Sequence, residues 1–329
     1  MKWRVLAALA AVMFAAVAAL RARHEASPSA PPAAALGTPQ RCAAYDGLPP
    51  GDGPHAGMQY IAGGRFELGS LRGYAEERPL VATGLAPFWI DRTEVTNAQF
   101  ARFVVATGYV SDAERRDGAV VFAIPDANDA DALNAGRWWQ LRRDANWHRP
   151  DGVKAGAPNE PVVDITYADA LAYAHWLGRA LPSEAQWEFA AKAGRDNEHA
   201  DRALRDARGH PLANFWQGLF PLDNRGEDGY TGRAPVGCFA ANPDGLYDMI
   251  GNVWEWTTDV YRDGHATADE TAAMAAMPAR GTAPRRVIKG GSYLCADNYC
   301  VRARASSRQG QEADLPTVHI GFRTISAAP

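Results

Sequence analysis

Glycine and proline set the first limit on what this chain can become. Its 329 residues include 31 Gly and 22 Pro, spread so that few stretches keep one hydrophobic period for long. Each Gly loosens the backbone and each Pro removes a donor, so long helices and broad regular sheets are excluded in favour of short elements joined by loops. No internal repeat is visible, which removes solenoids and propellers from consideration.

Within that frame a few local signals are sharp. Residues 58–68 alternate around Gly63-Gly64 and read as a hairpin, and Phe88-Trp89-Ile90-Asp91 reads as a short strand. Thr96-Asn97-Ala98-Gln99 is a capping box that opens a helix with Phe100, Phe103 and Val104 on one face, ending near Gly108. Thr166 caps a second helix carrying Ala170, Leu171, Ala174 and Leu177, closed by Gly178. Ser183-Glu184-Ala185-Gln186 opens a third, with Trp187, Ala190 and Ala191 as its apolar stripe and Gly194 at its end. On spacing alone these Trp and Phe residues are core.

Lys2 and Arg4 precede an apolar run at 5–20, followed by Arg21 and Arg23. This predicts a signal peptide or membrane anchor over 1–23 and places the domain outside the cytoplasm, in a periplasmic or other extracytoplasmic compartment. The run is shorter than the ~20 residues a bilayer span needs, and Ala16-Val17-Ala18 offers a cleavage site, which favours removal over anchoring. Residues 24–57, rich in Pro, Ala and Gly, read as an extended linker, so folding is expected to start near Met58 and run through 58–329. A net charge of -4 without dense Lys/Arg clusters argues against nucleic-acid binding.

Four cysteines admit three pairings. Cys42 and Cys238 could join the linker to the domain. Cys295 and Cys300 lie five positions apart, which puts side chains on opposite faces of a strand and about 140° apart on a helix. Only a curved loop brings the two sulfurs together, and Gly290-Gly291 supplies the freedom to turn while Tyr293 and Tyr299 bracket the pair. Either a disulfide or a two-thiolate metal site uses that geometry. Structural zinc wants four N or S ligands, whereas soft Cu(I) accepts fewer.

Two Gly-containing segments, 213–218 with 226–230 and 245–256, mix carboxylate and amide oxygens with turns that can present carbonyls, the oxygen donors Ca²⁺ prefers. Neither matches an EF-hand loop, and Asn and Asp are also ordinary turn formers.

Taken in order, Ala180-Leu181-Pro182-Ser183-Glu184-Ala185-Gln186-Trp187-Glu188, Gly251-Asn252-Val253-Trp254-Glu255-Trp256, the run from Arg286 through Gly290-Gly291-Ser292-Tyr293-Leu294 to Cys295, and His319-Ile320-Gly321-Phe322-Arg323 resemble the formylglycine-generating enzymes, or sulfatase-modifying factors. The resemblance spans residues 58–323. It implies an α+β, C-type-lectin-like fold, irregular and low in regular secondary structure. It also implies a copper-dependent oxidase that uses O₂ to convert the cysteine of a sulfatase Cys-x-Pro-x-Arg segment to Cα-formylglycine.

By the same resemblance, Cys295 and Cys300 bind Cu(I), Ser292 contributes to the oxygen site, Tyr299 lies beside the second ligand, and Trp147 and Trp254 line the substrate cleft. Two structural Ca²⁺ sites are implied, one at Asn214, Phe215, Asp228 and Tyr230, the other at Asp248, Gly251, Val253 and Glu255, where Asp248 stands for an Asn of some relatives. Phe215 and Tyr230 would contribute backbone oxygens. The expected partner is a sulfatase polypeptide, and a monomer is expected. Some eukaryotic relatives carry cysteines where this chain has Ala305 and Thr324, so those bridges cannot form.

Two other readings compete. One is a non-catalytic C-type-lectin-like module in which Cys295 and Cys300 form an ordinary disulfide. The other is a nonheme-iron sulfoxide synthase, whose relatives add a helical three-histidine domain; the eight histidines here are scattered and no such domain precedes the core.

Overall fold

The computed structural model describes residues 36–116, 118–125, 137–196, 204–265 and 284–328. The segment 1–23 and the first part of the expected linker lie outside them. The described residues from Leu36 onward belong to one compact unit, and no helix among them is long and apolar enough to cross a membrane.

The elements are short. In chain order they are α1 (Pro39–Ala43), β1 (Met58–Ile61), β2 (Gly64–Leu68), a 3-10 turn (Ala75–Glu77), β3 (Val81–Leu85), β4 (Phe88–Asp91), α2 (Asn97–Thr107) and α3 (Asp112–Arg115). There follow β5 (Ala119–Phe122), β6 (Trp139–Arg142), α4 (Tyr167–Trp176), α5 (Glu184–Lys192), β7 (Trp254–Val260), β8 (Arg285–Lys289), β9 (Arg308–Glu312), β10 (Ile320–Gly321) and β11 (Ile325–Ala327). The result is an irregular α+β arrangement, in keeping with the glycine and proline content.

The three expected helices, α2, α4 and α5, form where their caps place them. Thr96 and Gln99 close a reciprocal box on α2, which stops at Gly108 with φ 67°. Ser183 and Gln186 do the same for α5, and on α4 the partner of Thr166 is Asp169. Each box satisfies two amide donors that the first turn would otherwise leave unpaired.

The expected hairpin at 58–68 does not form. β1 pairs antiparallel with β4, Met58 opposite Asp91, while β2 pairs with β3, Gly64 opposite Leu85. At Gly63, with φ 72°, an added Cβ would stand 2.4 Å from Leu85 O. The bend therefore presses against the β3–β4 connection, and each strand finds a partner beyond its immediate neighbour.

Residues 36–57 also differ from an extended linker. Thr38 caps α1, Cys42 is bridged to Cys238, and Gly47 O accepts the Thr96 hydroxyl at 2.5 Å. Proline-rich composition reports missing helical periodicity, and contacts to distant residues pack this stretch without any.

Sheets and helices meet in one main apolar cluster that includes Phe100, Tyr173, Trp254, Trp256, Phe322 and Cys295. A four-stranded sheet in the order β10-β7-β8-β9 carries the site, with β10 parallel to β7 and the other pairs antiparallel. Along β7, Glu255 is fixed by Arg323, whose guanidinium makes two hydrogen bonds of 2.7 Å to it, and by the Trp187 indole at 2.7 Å. Both ions are fully buried. Removing the arginine of such a pair costs about 3–5 kcal/mol, because the carboxylate stays buried and unpaired.

Candidate active site

Strand β8 delivers the chain to Gly290 and Gly291, with φ of 95° and 78°. A Cβ on Gly291 would lie 2.6 Å from Arg302 O and from Ala303 Cα, so only glycine lets the outgoing and returning limbs of the loop run this close. Beyond the turn, Cys295 N–H donates to Ser292 O at 2.9 Å. Ala296 and Cys300 then exchange main-chain hydrogen bonds of 3.1 and 3.0 Å. That closed loop brings the Cys295 and Cys300 sulfurs to 3.7 Å, both as free thiols.

Neighbouring segments hold the loop. Tyr293 N–H donates to Asn252 O, Trp216 N–H to Cys295 O, and Gly251 N–H to Gly290 O, at 2.9, 2.9 and 3.0 Å. On the return limb, Arg302 pairs with Glu76 and lies 3.8 Å from the centre of the Tyr74 ring. The Tyr74 hydroxyl accepts the Val301 amide at 3.1 Å.

The two thiols differ electrostatically. The hydrogen bond that Cys295 donates to the Cys300 sulfur, together with burial, pushes the Cys295 thiol well above the ordinary range. The same bond lowers Cys300, and the Arg302 guanidinium adds to that against the cost of burial. One thiolate is therefore easier to form than two, and two soft donors at this separation suit a metal of low coordination number such as Cu(I).

Cys295 and Cys300 open into a cavity of about 350 Å³. Of the residues expected here, Ser292, Tyr299 and Trp254 also line it. Tyr299 is half exposed at the mouth, stacked on Phe220 at 4.5 Å between ring centres. Trp147 does not line the cavity. It is buried against Phe100, and its indole N–H donates to Glu114 at 3.2 Å.

Several other walls have no role assigned by the sequence motifs, among them Tyr74, Phe220, Arg302 and His319. His319 is buried, its Nδ1 has no hydrogen-bond partner, and burial alone pushes it down to about 3, so the ring is neutral. A histidine between Val318 and Ile320 was the available signal for it.

The two acidic loops converge as well. In the first, Asp228 Oδ1 accepts the Tyr230 amide at 2.9 Å, and Oδ2 accepts the Phe215 amide at 3.1 Å. Phe215 O and Asp228 Oδ2 both face the Gln217 amide nitrogen, so these oxygens point at one place. Asn214 instead donates to Gly232 O and Asn252 Oδ1, at 2.9 and 3.0 Å.

In the second, Asp248 is buried beside Glu94 and Glu255, with Arg323 as the cation they share. Burial raises Asp248 to about 6, and burial with the charges of Asp248 and Glu255 pushes Glu94 well up. Three carboxyl groups against one guanidinium leave an excess of negative charge that a hard cation would offset. Among the described residues no group of three or more His, Cys, Asp or Glu is arranged to hold a metal by side chains alone. A cation in these loops would therefore draw also on main-chain carbonyls, amide side-chain oxygens or water, donors open to Ca²⁺.

Known proteins are similar to this chain in sequence and fold. Residues 48–328 match the sulfatase-modifying factor enzyme 1-like domain. A formylglycine-generating enzyme of Mycobacterium tuberculosis is 42% identical over 288 residues, covering 81% of this chain and 96% of its own. An inactive C-alpha-formylglycine-generating enzyme 2 of Mus musculus is 35% identical over 283 residues, covering 82% and 86%. Among solved structures, PvdO from Pseudomonas aeruginosa aligns with a TM-score of 0.55 and 26% identity over 82% of this chain and 93% of that one.

Proposed function

The chain belongs to the family of the sulfatase-modifying factor enzyme 1-like domain, and on that premise we propose that it oxidises the cysteine of a sulfatase Cys-x-Pro-x-Arg segment to Cα-formylglycine, with copper at Cys295 and Cys300 and O₂ as oxidant. The observation that carries this reading is the pair of free thiols, 3.7 Å apart, on the wall of a single cavity. A module held by an ordinary disulfide has no need of reduced sulfurs facing an open space.

Copper, when bound, supplies the centre at which O₂ is activated. The protein's own contributions are positional and electrostatic. The Gly290-Gly291 turn and the Ala296–Cys300 hydrogen bonds fix the thiol spacing before any ligand arrives. Arg302 favours the Cys300 thiolate. Trp254, held by its amide to His319 O at 2.9 Å, presents a rigid apolar wall that keeps water from the reacting sulfur, while Tyr299 and Phe220 form the lip over which an extended peptide enters.

Calcium in the two acidic loops is part of the same proposal, in a structural role: Asp228 with the carbonyls of Phe215 and Tyr230, and Asp248 with the 251–255 segment. So is export, supported by the apolar run at 5–20 and by the Cys42–Cys238 disulfide, a bond that persists in oxidising compartments.

The test incubates copper-loaded protein with a Cys-x-Pro-x-Arg peptide, O₂ and a thiol reductant, and reads the thiol-to-aldehyde mass change. Conversion is expected with the native chain and not with Cys295→Ala or Cys300→Ala. A peptide left unmodified by the copper-loaded native protein would sink the proposal.

A further inference from the structure

The Cys42–Cys238 cystine has no part in the cavity, yet it touches one acidic loop directly and the other through its chain neighbour Gly237. Cys42 is fully buried on α1, and its carbonyl accepts the Asn159 side-chain amide at 2.8 Å. Beside it, Gly37 N–H donates to Gly237 O at 2.7 Å, and Val236 N–H donates to Asn159 O at 2.9 Å. Across the bridge, Gly237 sends its own amide to Asp248 Oδ2 at 2.5 Å. The Tyr230 hydroxyl donates to Cys238 Sγ at 3.0 Å, while the Tyr230 amide binds Asp228. One contact therefore leads from Cys238 to the first loop, and its chain neighbour leads to the second.

Segment 228–238 contains no helix or strand, so the sheet ladders do not fix its path. Its path is set by single hydrogen bonds at Gly232, Ala234 and Val236 and by the bridge to α1. A helix of five residues has no stability of its own and relies on the same bridge. Calcium affinity depends on how rigidly oxygen donors are pre-set, so a clamp at this point acts on ligand spacing at both loops.

We infer that the Cys42–Cys238 cystine is a positioning element for the two calcium loops and sets their affinity for the ion. The inference rests on the calcium reading above. Asp228 and Asp248 supply the carboxylates; the cystine holds the intervening chain at the separation they require.

Isothermal titration of the full-length, calcium-stripped protein with Ca²⁺ tests it, comparing the native chain with Cys42→Ser/Cys238→Ser. The double variant should bind about tenfold more weakly or worse, while retaining Cu(I) stoichiometry at Cys295 and Cys300. Tyr230→Phe keeps the bridge and removes only the hydroxyl on Cys238. It should weaken Ca²⁺ by about threefold, and it decides the matter if the double variant does not fold. Native-like calcium affinity in the folded double variant, or in Tyr230→Phe, overturns the inference. If the native chain itself binds no Ca²⁺, the calcium reading fails and takes this inference with it.

Discussion

The main-chain carbonyl of Asn252 accepts the Tyr293 amide at 2.9 Å, two residues ahead of Cys295. Its amide donates to Asn214 O at 2.9 Å, and its side chain, almost wholly buried, reaches Asn214, Ala234 and Glu94. With φ at 52°, Asn252 occupies left-handed backbone that asparagine tolerates better than most residues. Both acidic loops and the cysteine loop thus meet at one residue, the cysteine loop through its main chain.

Asn252→Gly keeps the backbone conformation and deletes the side-chain bonds. Stability should fall by about 2–4 kcal/mol, and Cu(I) affinity at Cys295 and Cys300 by about tenfold. Urea unfolding and competition with a Cu(I) chelator measure the two effects. Unchanged copper affinity in a destabilised variant would confine Asn252 to a scaffold role.

Glu255 and Arg323 offer an asymmetric comparison. Arg323→Gln strands Glu94, Asp248 and Glu255 together, whereas Glu255→Gln leaves Arg323 still facing two carboxyl groups. The arginine variant should lose about 3–5 kcal/mol and the glutamate variant less. Calcium should restore part of the loss in Arg323→Gln. Equal losses in denaturant titrations would show that the shared negative charge does not govern this cluster.

Asp248 gives the pH dependence its sign. Its carboxyl lies at about 6 in the folded chain against 3.8 for the free group, so between those values the folded state keeps a proton that the unfolded chain has released. Calcium-free stability therefore declines as pH rises from about 4 to 6, by up to about 3 kcal/mol, and Glu94 adds in the same direction. Calcium affinity should rise through the same window. Unfolding curves in chelator from acid to neutral pH check this, and Asp248→Asn should flatten the slope.

Trp254 and Trp147 separate by their surroundings. Trp254→Ala removes a cavity wall and should raise KM for the peptide about tenfold, the scale of a lost anchor. Trp147→Phe should leave KM near native, while Trp147→Ala should cost about 3–5 kcal/mol of stability as a core truncation. Steady-state kinetics beside urea unfolding distinguishes them. A raised KM in folded Trp147→Phe would return that residue to the substrate cleft.

Contiguous residues encode the local elements of this chain. Thr96, Thr166 and Ser183 open helices because each capping box is complete within four residues. Gly290-Gly291 ahead of two cysteines announced a tight loop with converging sulfurs, since no regular element brings positions five apart together. The ordered motifs from Ala180 to Arg323 carried the family. Tertiary structure alone decided the partners: β1 with β4 instead of β2, Cys42 with Cys238, and Trp254 at the cavity while Trp147 went to the core. The cavity draws Tyr74, Phe220, Trp254, Cys295 and His319 from stretches far apart in the chain. Loop-rich folds place such residues through single hydrogen bonds and buried ion pairs between distant segments, and those long-range contacts leave no periodic trace in sequence.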